Sequence, residues 1–155
     1  MTTPDAEMIR LALKGFEDAR ARVAAAPAIA AHHLYVPLTE ATWWAICVDD
    51  ALAKAPGYKS ARNTSPEGQT VAGLNYARSA LGHHWAFIAE TGGGVRFPLR
   101  FPVRFETYAR WVPVEDLPPF DAQPWARPHY VARVAGRRVL ETLEDADAWF
   151  RKATA

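Results

Sequence analysis

The sequence contains a single cysteine, Cys47, so no intrachain disulfide can form. That scarcity points to a reducing, cytoplasmic setting. No run approaches the roughly 18 consecutive apolar residues of a membrane-spanning helix, so no membrane segment is expected. The stretch from Met1 to Arg10 carries Asp5 and Glu7 and lacks a basic segment followed by an apolar one, which is not the pattern of a secretory signal. Lysine is also scarce, with 4 Lys beside 14 Arg, the usage of a GC-rich genome rather than a functional signature. The formal net charge is +1, from 18 basic and 17 acidic residues, which excludes a polybasic nucleic-acid binder but not a local basic patch. The balance hides segregation: residues 91–139 hold 8 Arg against 4 acids, and residues 140–155 hold 2 basic residues against 4 acids. No internal repeat or low-complexity segment is present.

What remains is 155 residues that are 50% hydrophobic, enough for one domain over residues 1–155 that buries about two thirds of its unfolded surface. The expected fold is α+β, with a helical bundle over residues 4–90 and a β-containing extension with a short C-terminal helix over residues 95–155. Thr3-Pro4 opens the first helix, in which Ile9, Ala12, Leu13, Phe16, Ala19 and Val23 recur at helical spacing until Pro27. Residues 28–38 are ambiguous, and Pro37 is expected to prevent a continuous helix into the next one, over 39–55. Pro56-Gly57 ends that helix, and residues 58–64 read as a polar linker. Ser65-Pro66-Glu67 is the strongest helix start in the chain, as N-cap, first-turn proline and first-turn acid. The helix that follows is expected to reach Glu90 and stop at Gly92-Gly93-Gly94.

Beyond the glycines the period becomes two. Phe97, Leu99, Phe101, Val103 and Phe105 alternate with Arg96, Pro98, Arg100, Pro102 and Arg104, the pattern of an extended edge segment. A proline-rich connection follows over residues 113–128. Residues 129–134 and 137–141, flanking Ala135-Gly136, read as a hairpin. Thr142 with Asp145 resembles a capping box for a last helix ending near Lys152.

The helix after Ser65 carries the functional signal. At about 100° per residue, Val71, Leu74, Ala77, Leu81, Trp85 and Ile88 share one face, while Asn75, Arg78, Ser79, Gly82 and His83 form a polar stripe on the other. Between Gln69 and Ile88 the only Lys, Arg, Asp or Glu is Arg78. A stripe of hydrogen-bonding groups bordered by small residues suits the close approach of a helix or a ligand more than solvation. His84 sits about 100° round from His83, beside Ala77 and Ala80, where a packed histidine is expected.

Arg78-Ser79-Ala80-Leu81-Gly82-His83 resembles the R-x4-6-H motif of the HEPN superfamily, the higher eukaryotes and prokaryotes nucleotide-binding domains. The resemblance covers residues 4–90. The tail, with Trp111, Glu115-Asp116-Leu117-Pro118, Tyr130 and Ala135-Gly136-Arg137, resembles that of uncharacterised bacterial proteins. The first resemblance implies a helical bundle, a homodimer with a composite site at its interface, and a metal-independent ribonuclease of toxin or phage-defence type with a cognate antitoxin. It equally allows a catalytically silent module that dimerises or binds a partner protein or nucleotide, since many such domains lack nuclease activity.

The chemistry of the pair is simple. RNA cleavage without metal needs a group that titrates near neutrality and a fixed cation for the phosphate, roles suited to His83 and Arg78. They lie about 140° apart on the wheel, so two copies would have to combine to build one site. Ser79, Asn75 and Glu40 are the candidate orienting residues. Glu40 is expected on the core side of its helix with Trp44, Cys47, Val48 and Ala51, as a partner for Arg78 or His83, with Asp49 and Asp50 pointing elsewhere. Arg96, Arg100 and Arg104, about 13 Å apart in succession, are candidate RNA-backbone contacts. Arg62 and Asn63 read as solvated linker residues within reach of phosphate.

No cofactor or metal is expected. His32-His33 and His83-His84 are adjacent pairs that diverge on a helix, without the spacing of a ligand set. Gly92-Gly93-Gly94 lacks the Gly-Lys-Ser/Thr ending of a phosphate loop. Cys47, beside Trp43 and Trp44, reads as a packing residue rather than a nucleophile.

Overall fold

The computed structural model describes residues 3–27, 30–84, 89–94, 106–119 and 123–155. The chain runs through α1 (Thr3–Ala25), α2 (His32–Leu52), α3 (Tyr58–Thr64) and α4 (Pro66–His84), then strands β1 (Ala89–Gly94) and β2 (Glu106–Trp111). A 3-10 turn (Val114–Asp116), α5 (Arg127–Arg133) and α6 (Val139–Thr154) complete it. The fold is therefore α+β and mainly helical, with a small antiparallel sheet and a C-terminal helix. No described helix is long and apolar enough to cross a membrane.

The helical periodicity of α1 translates directly into burial: Ile9, Ala12, Phe16, Ala19 and Val23 all face inward. Charged pairs such as Glu7 with Arg10, and Lys14 with Asp18, occupy its wet side. Phe16 meets Phe150 of α6 edge to face at 5.5 Å. α2 starts earlier than expected and continues through Pro37. The proline removes one intrahelical hydrogen bond near the helix start. Leu34 and Leu38 are buried on either side of it, at roughly 1.5–3 kcal/mol each, which offsets that loss.

Residues 58–64 form α3, not a linker. Tyr58 and Arg62, one turn apart, are both buried, which gives this short polar segment an inner face. Ser65 separates α3 from α4 and caps the latter, accepting a hydrogen bond from the Gly68 N–H at 3.2 Å. Glycine is required at 68 because a Cβ there would lie 2.3 Å from the Arg62 carbonyl oxygen.

α4 is the central element and packs on α2, α3, α5 and α6. From Gly68 to Leu81 only Gln69 and Arg78 escape full burial. That explains why the helix carries so little charge: the small polar residues of the stripe admit neighbouring helices.

The structure changes two further expectations. Gly92 to Gly94 belong to β1, not to a helix stop; β1 pairs with β2 from Ala89↔Trp111 to Gly94↔Glu106, and Glu90 meets Arg110 directly across at 3.1 Å. Residues 129–141 are not a hairpin but α5, a turn and the start of α6. Tyr130 and Val134 are fully buried while Ala132 between them is exposed, so this short apolar run has helical rather than alternating burial. The turn instead supplies backbone partners to the end of β2: Trp111 N–H donates to the Arg137 carbonyl and Gly136 N–H to the Trp111 carbonyl. Thr142 is not a cap. It lies inside α6 and accepts a hydrogen bond from the Trp111 indole at 2.7 Å.

Candidate functional site

The polar stripe of α4 divides between interior and surface. Ser79 is 1% exposed and Asn75 5%, so both belong to the protein interior. Arg78 is half-buried and its guanidinium lies over the ring of Trp43 on α2, 5.5 Å from the centroid. Trp43 is itself 53% exposed. One turn beyond Arg78, Gly82 is exposed and a Cβ there would meet nothing within 4 Å. The Tyr35 hydroxyl ties α2 to this turn by donating to the Leu81 carbonyl at 2.7 Å. His83 follows on the α4 backbone, but its side chain, like that of His84, lies outside the described residues.

Glu40 is not the partner of Arg78. It accepts from Arg22 of α1, through Nε at 2.9 Å and Nη2 at 2.6 Å, at a half-exposed position. The face of α2 assigned to the core was rotated: Asp49, not Glu40, is the sealed carboxylate, at 1% exposure. Leu38, Ala45 and Leu52, spaced by seven, mark the true inner face, and Asp49 follows Thr42 at the same interval. Arg96, Arg100 and Arg104 lie outside the described residues. Among the described residues no cluster of histidine, cysteine or carboxylate side chains has the makings of a metal site. Burial first, then the charge of Asp50, raises the Cys47 thiol pKa, with Arg78 opposing, which fits a packing role.

Asp49 anchors a network that the sequence did not reveal. Arg62 Nη1 donates to its Oδ2 at 2.5 Å, and the Tyr58 hydroxyl donates to its Oδ1 at 2.8 Å. The Trp149 indole N–H of α6 donates to the Tyr58 oxygen at 2.8 Å. Three helices, α2, α3 and α6, are joined through one carboxylate. Burial raises the pKa of Asp49, against the charge of Arg62 and the hydrogen bonds from Tyr58 and Arg62. Burial and the adjacent Asp49 carboxylate also push the Tyr58 hydroxyl far up, so it acts as a neutral donor. Tyr58 and Arg62, four residues apart in a segment otherwise read as linker, were the available signal.

An open cleft of about 530 Å³ lies against this network, lined by Asp49, Asp50, Ala53, Lys54, Lys59, Arg62, Asn75 and Trp125. Trp125 is 43% exposed and carries the Arg62 guanidinium on its ring at 5.1 Å. The described lining combines two carboxylates, three cations, one amide and one indole, a set suited to holding a charged, flat ligand. Nearby His129 has a lowered pKa, from burial first and then the charge of Arg62.

Comparison of the chain with protein-family models, with curated proteins and with solved structures finds no match.

Proposed function

We propose that this chain is a catalytically silent, HEPN-like cytoplasmic interaction module that pairs with a second copy of itself through the outward face of α2 and α4. The observation that carries this reading is the burial of Asn75 and Ser79 in the protein interior, with Glu40 engaged by Arg22, so that these three polar groups are committed to the fold. The same face exposes Trp43 and, two turns earlier, Val36, which is 64% exposed. Gly82 opens beside them and permits close approach of another backbone. A homodimer seated here would bury Trp43 and draw two copies of Arg78 together. Light scattering coupled to size exclusion tests the pairing. The wild-type chain is expected to elute as a dimer and Trp43→Glu as a monomer with an unchanged far-UV spectrum. A wild-type monomer at high micromolar concentration refutes it.

A second reading, a metal-independent ribonuclease of toxin or phage-defence type with RNA as substrate and an antitoxin as partner, is favoured by the position of Arg78 on that outward face. In it Arg78 would hold phosphate and His83 would move the proton. The discriminating assay is cleavage of a mixed RNA substrate in excess EDTA. Cleavage lost in both Arg78→Ala and His83→Ala would establish the ribonuclease. Absence of cleavage by a folded dimer, together with normal growth on expression, supports the silent module.

A further inference from the structure

We propose that the cleft between the C-terminal end of α2, α3 and α4 is a binding site for a small molecule that combines a flat heteroaromatic ring with one anionic group, a carboxylate or a phosphate. This inference is independent of the pairing face, which lies around Trp43 and Arg78.

Three observations carry it. The first is Asn75. Its side chain lines the cleft, is 95% buried, and keeps its Oδ1 buried with no hydrogen-bond partner among the described residues. A buried amide oxygen without a partner costs stability, typically more than an average hydrogen bond gains. An amide offers both a donor and an acceptor and can turn to present either, so a ring edge carrying complementary groups would satisfy it.

The second is Arg62. The bonds to Asp49 and Asn63 engage two of the five N–H donors of the guanidinium, and the residue lines the cleft. Asp49 holds the planar group in place, so little side-chain freedom is lost when an anion binds beside it. Lys59, exposed on α3, and Lys54 add two further positive charges to the lining. Asp50, also in the lining, opposes accumulation of negative charge, which favours a ligand with a single anionic group.

The third is Trp125. One cation stacks on its ring, yet 43% of the residue remains exposed at the cleft. An exposed indole beside cations is a ready platform for a flat ring. The cleft volume lies within the roughly 300–1,000 Å³ of small-molecule sites.

Isothermal titration of the full chain with nicotinate and with adenosine 5′-monophosphate, each in low salt, tests the site. Saturable binding of either with Kd below about 1 mM is expected: nicotinate alone would identify a carboxylate ligand, the nucleotide alone a phosphate ligand. Trp125→Ala is expected to weaken that binding about 5- to 150-fold, the range of one stacked ring, while Trp125→Phe retains most of it. Lys59→Ala is expected to weaken it and reduce its salt dependence. Asn75→Ala, checked by circular dichroism for an intact fold, is expected to weaken it without changing the salt dependence. No binding of either probe at 10 mM overturns the proposal, as does binding that Trp125→Ala and Asn75→Ala both leave unchanged.

Discussion

Replacing Asp49 with alanine probes the network that joins α2, α3 and α6. The carboxylate side chain is 2% exposed and its Arg62 partner 6%, so removing one strands the other in the interior. Breaking a pair this deeply buried costs about 3–5 kcal/mol, because the remaining charge touches little water and has lost its hydrogen-bonded counter-ion. The Tyr58 hydroxyl also loses its acceptor, although it still accepts from Trp149. For a domain of this size each kcal/mol moves Tm by about 2–4 °C, so the expected fall is roughly 6–20 °C. It would consume a large share of a total stability of about 5–15 kcal/mol. Circular dichroism melts and urea titrations of Asp49→Ala, Arg62→Met and the double variant Asp49→Leu/Arg62→Met measure the effect. The double variant is expected to recover much of the loss, since two apolar side chains of similar size need no partner. Glu40→Ala serves as the control: it breaks the half-exposed pair with Arg22 and is expected to cost less than about 1 kcal/mol. A loss below about 1 kcal/mol in Asp49→Ala would refute the reading of Asp49 and Arg62 as a sealed pair.

Gly73→Ala places a Cβ 2.7 Å from Val134 Cγ2 and 3.0 Å from the His129 carbonyl oxygen, so α5 must move away from α4. The expected cost is about 1–3 kcal/mol in a thermal melt, and a variant as stable as wild type would mean that the helix preference for alanine outweighs the clash. Trp111→Phe removes the indole donor to Thr142 and leaves space behind a fully buried ring, for roughly 1–3 kcal/mol by urea titration. His129 has a folded-state pKa below its ordinary 6.5, so the unfolded chain binds that proton more tightly. Its contribution is fully present above pH 6.5 and is lost as pH falls from 6.5 through the lowered value. Urea titrations at pH 7.5 and 5.5 should show a steeper loss for wild type than for His129→Gln, and parallel losses would refute the assignment.

Elements whose signals are local form where the sequence places them, and elements that depend on distant partners do not. Helical spacing in α1, and the Ser65-Pro66-Glu67 start of α4, involve residues within a turn or two of each other, and both appear where expected. Pro37 was misleading because its cost is local while the compensating burial of Leu34 and Leu38 is tertiary. Residues 129–141 were misleading because a short apolar run fits either period until its neighbours are known. The orientation of α2 could not be settled by a wheel alone, since Trp44, Cys47 and Glu40 define one apolar arc and Leu38, Ala45 and Leu52 another. α1 and α4 select the second.

What the chain by itself determined is the class of fold, the span of α1, the start of α4, and the nearly charge-free character of α4 with small polar residues on one side. What only the tertiary structure decided is the use of that side. The neighbouring helices enclose Ser79 and nearly all of Asn75, and leave Arg78 half-buried beside the exposed Trp43. Likewise the sequence displays Asp49, Arg62 and Trp125 as unrelated residues, and only packing makes them one carboxylate, one fixed cation and one exposed ring around a cleft. The physical reason is that periodicity records which residues leave water, whereas pairing between buried charges is fixed by the distances at which separate elements meet.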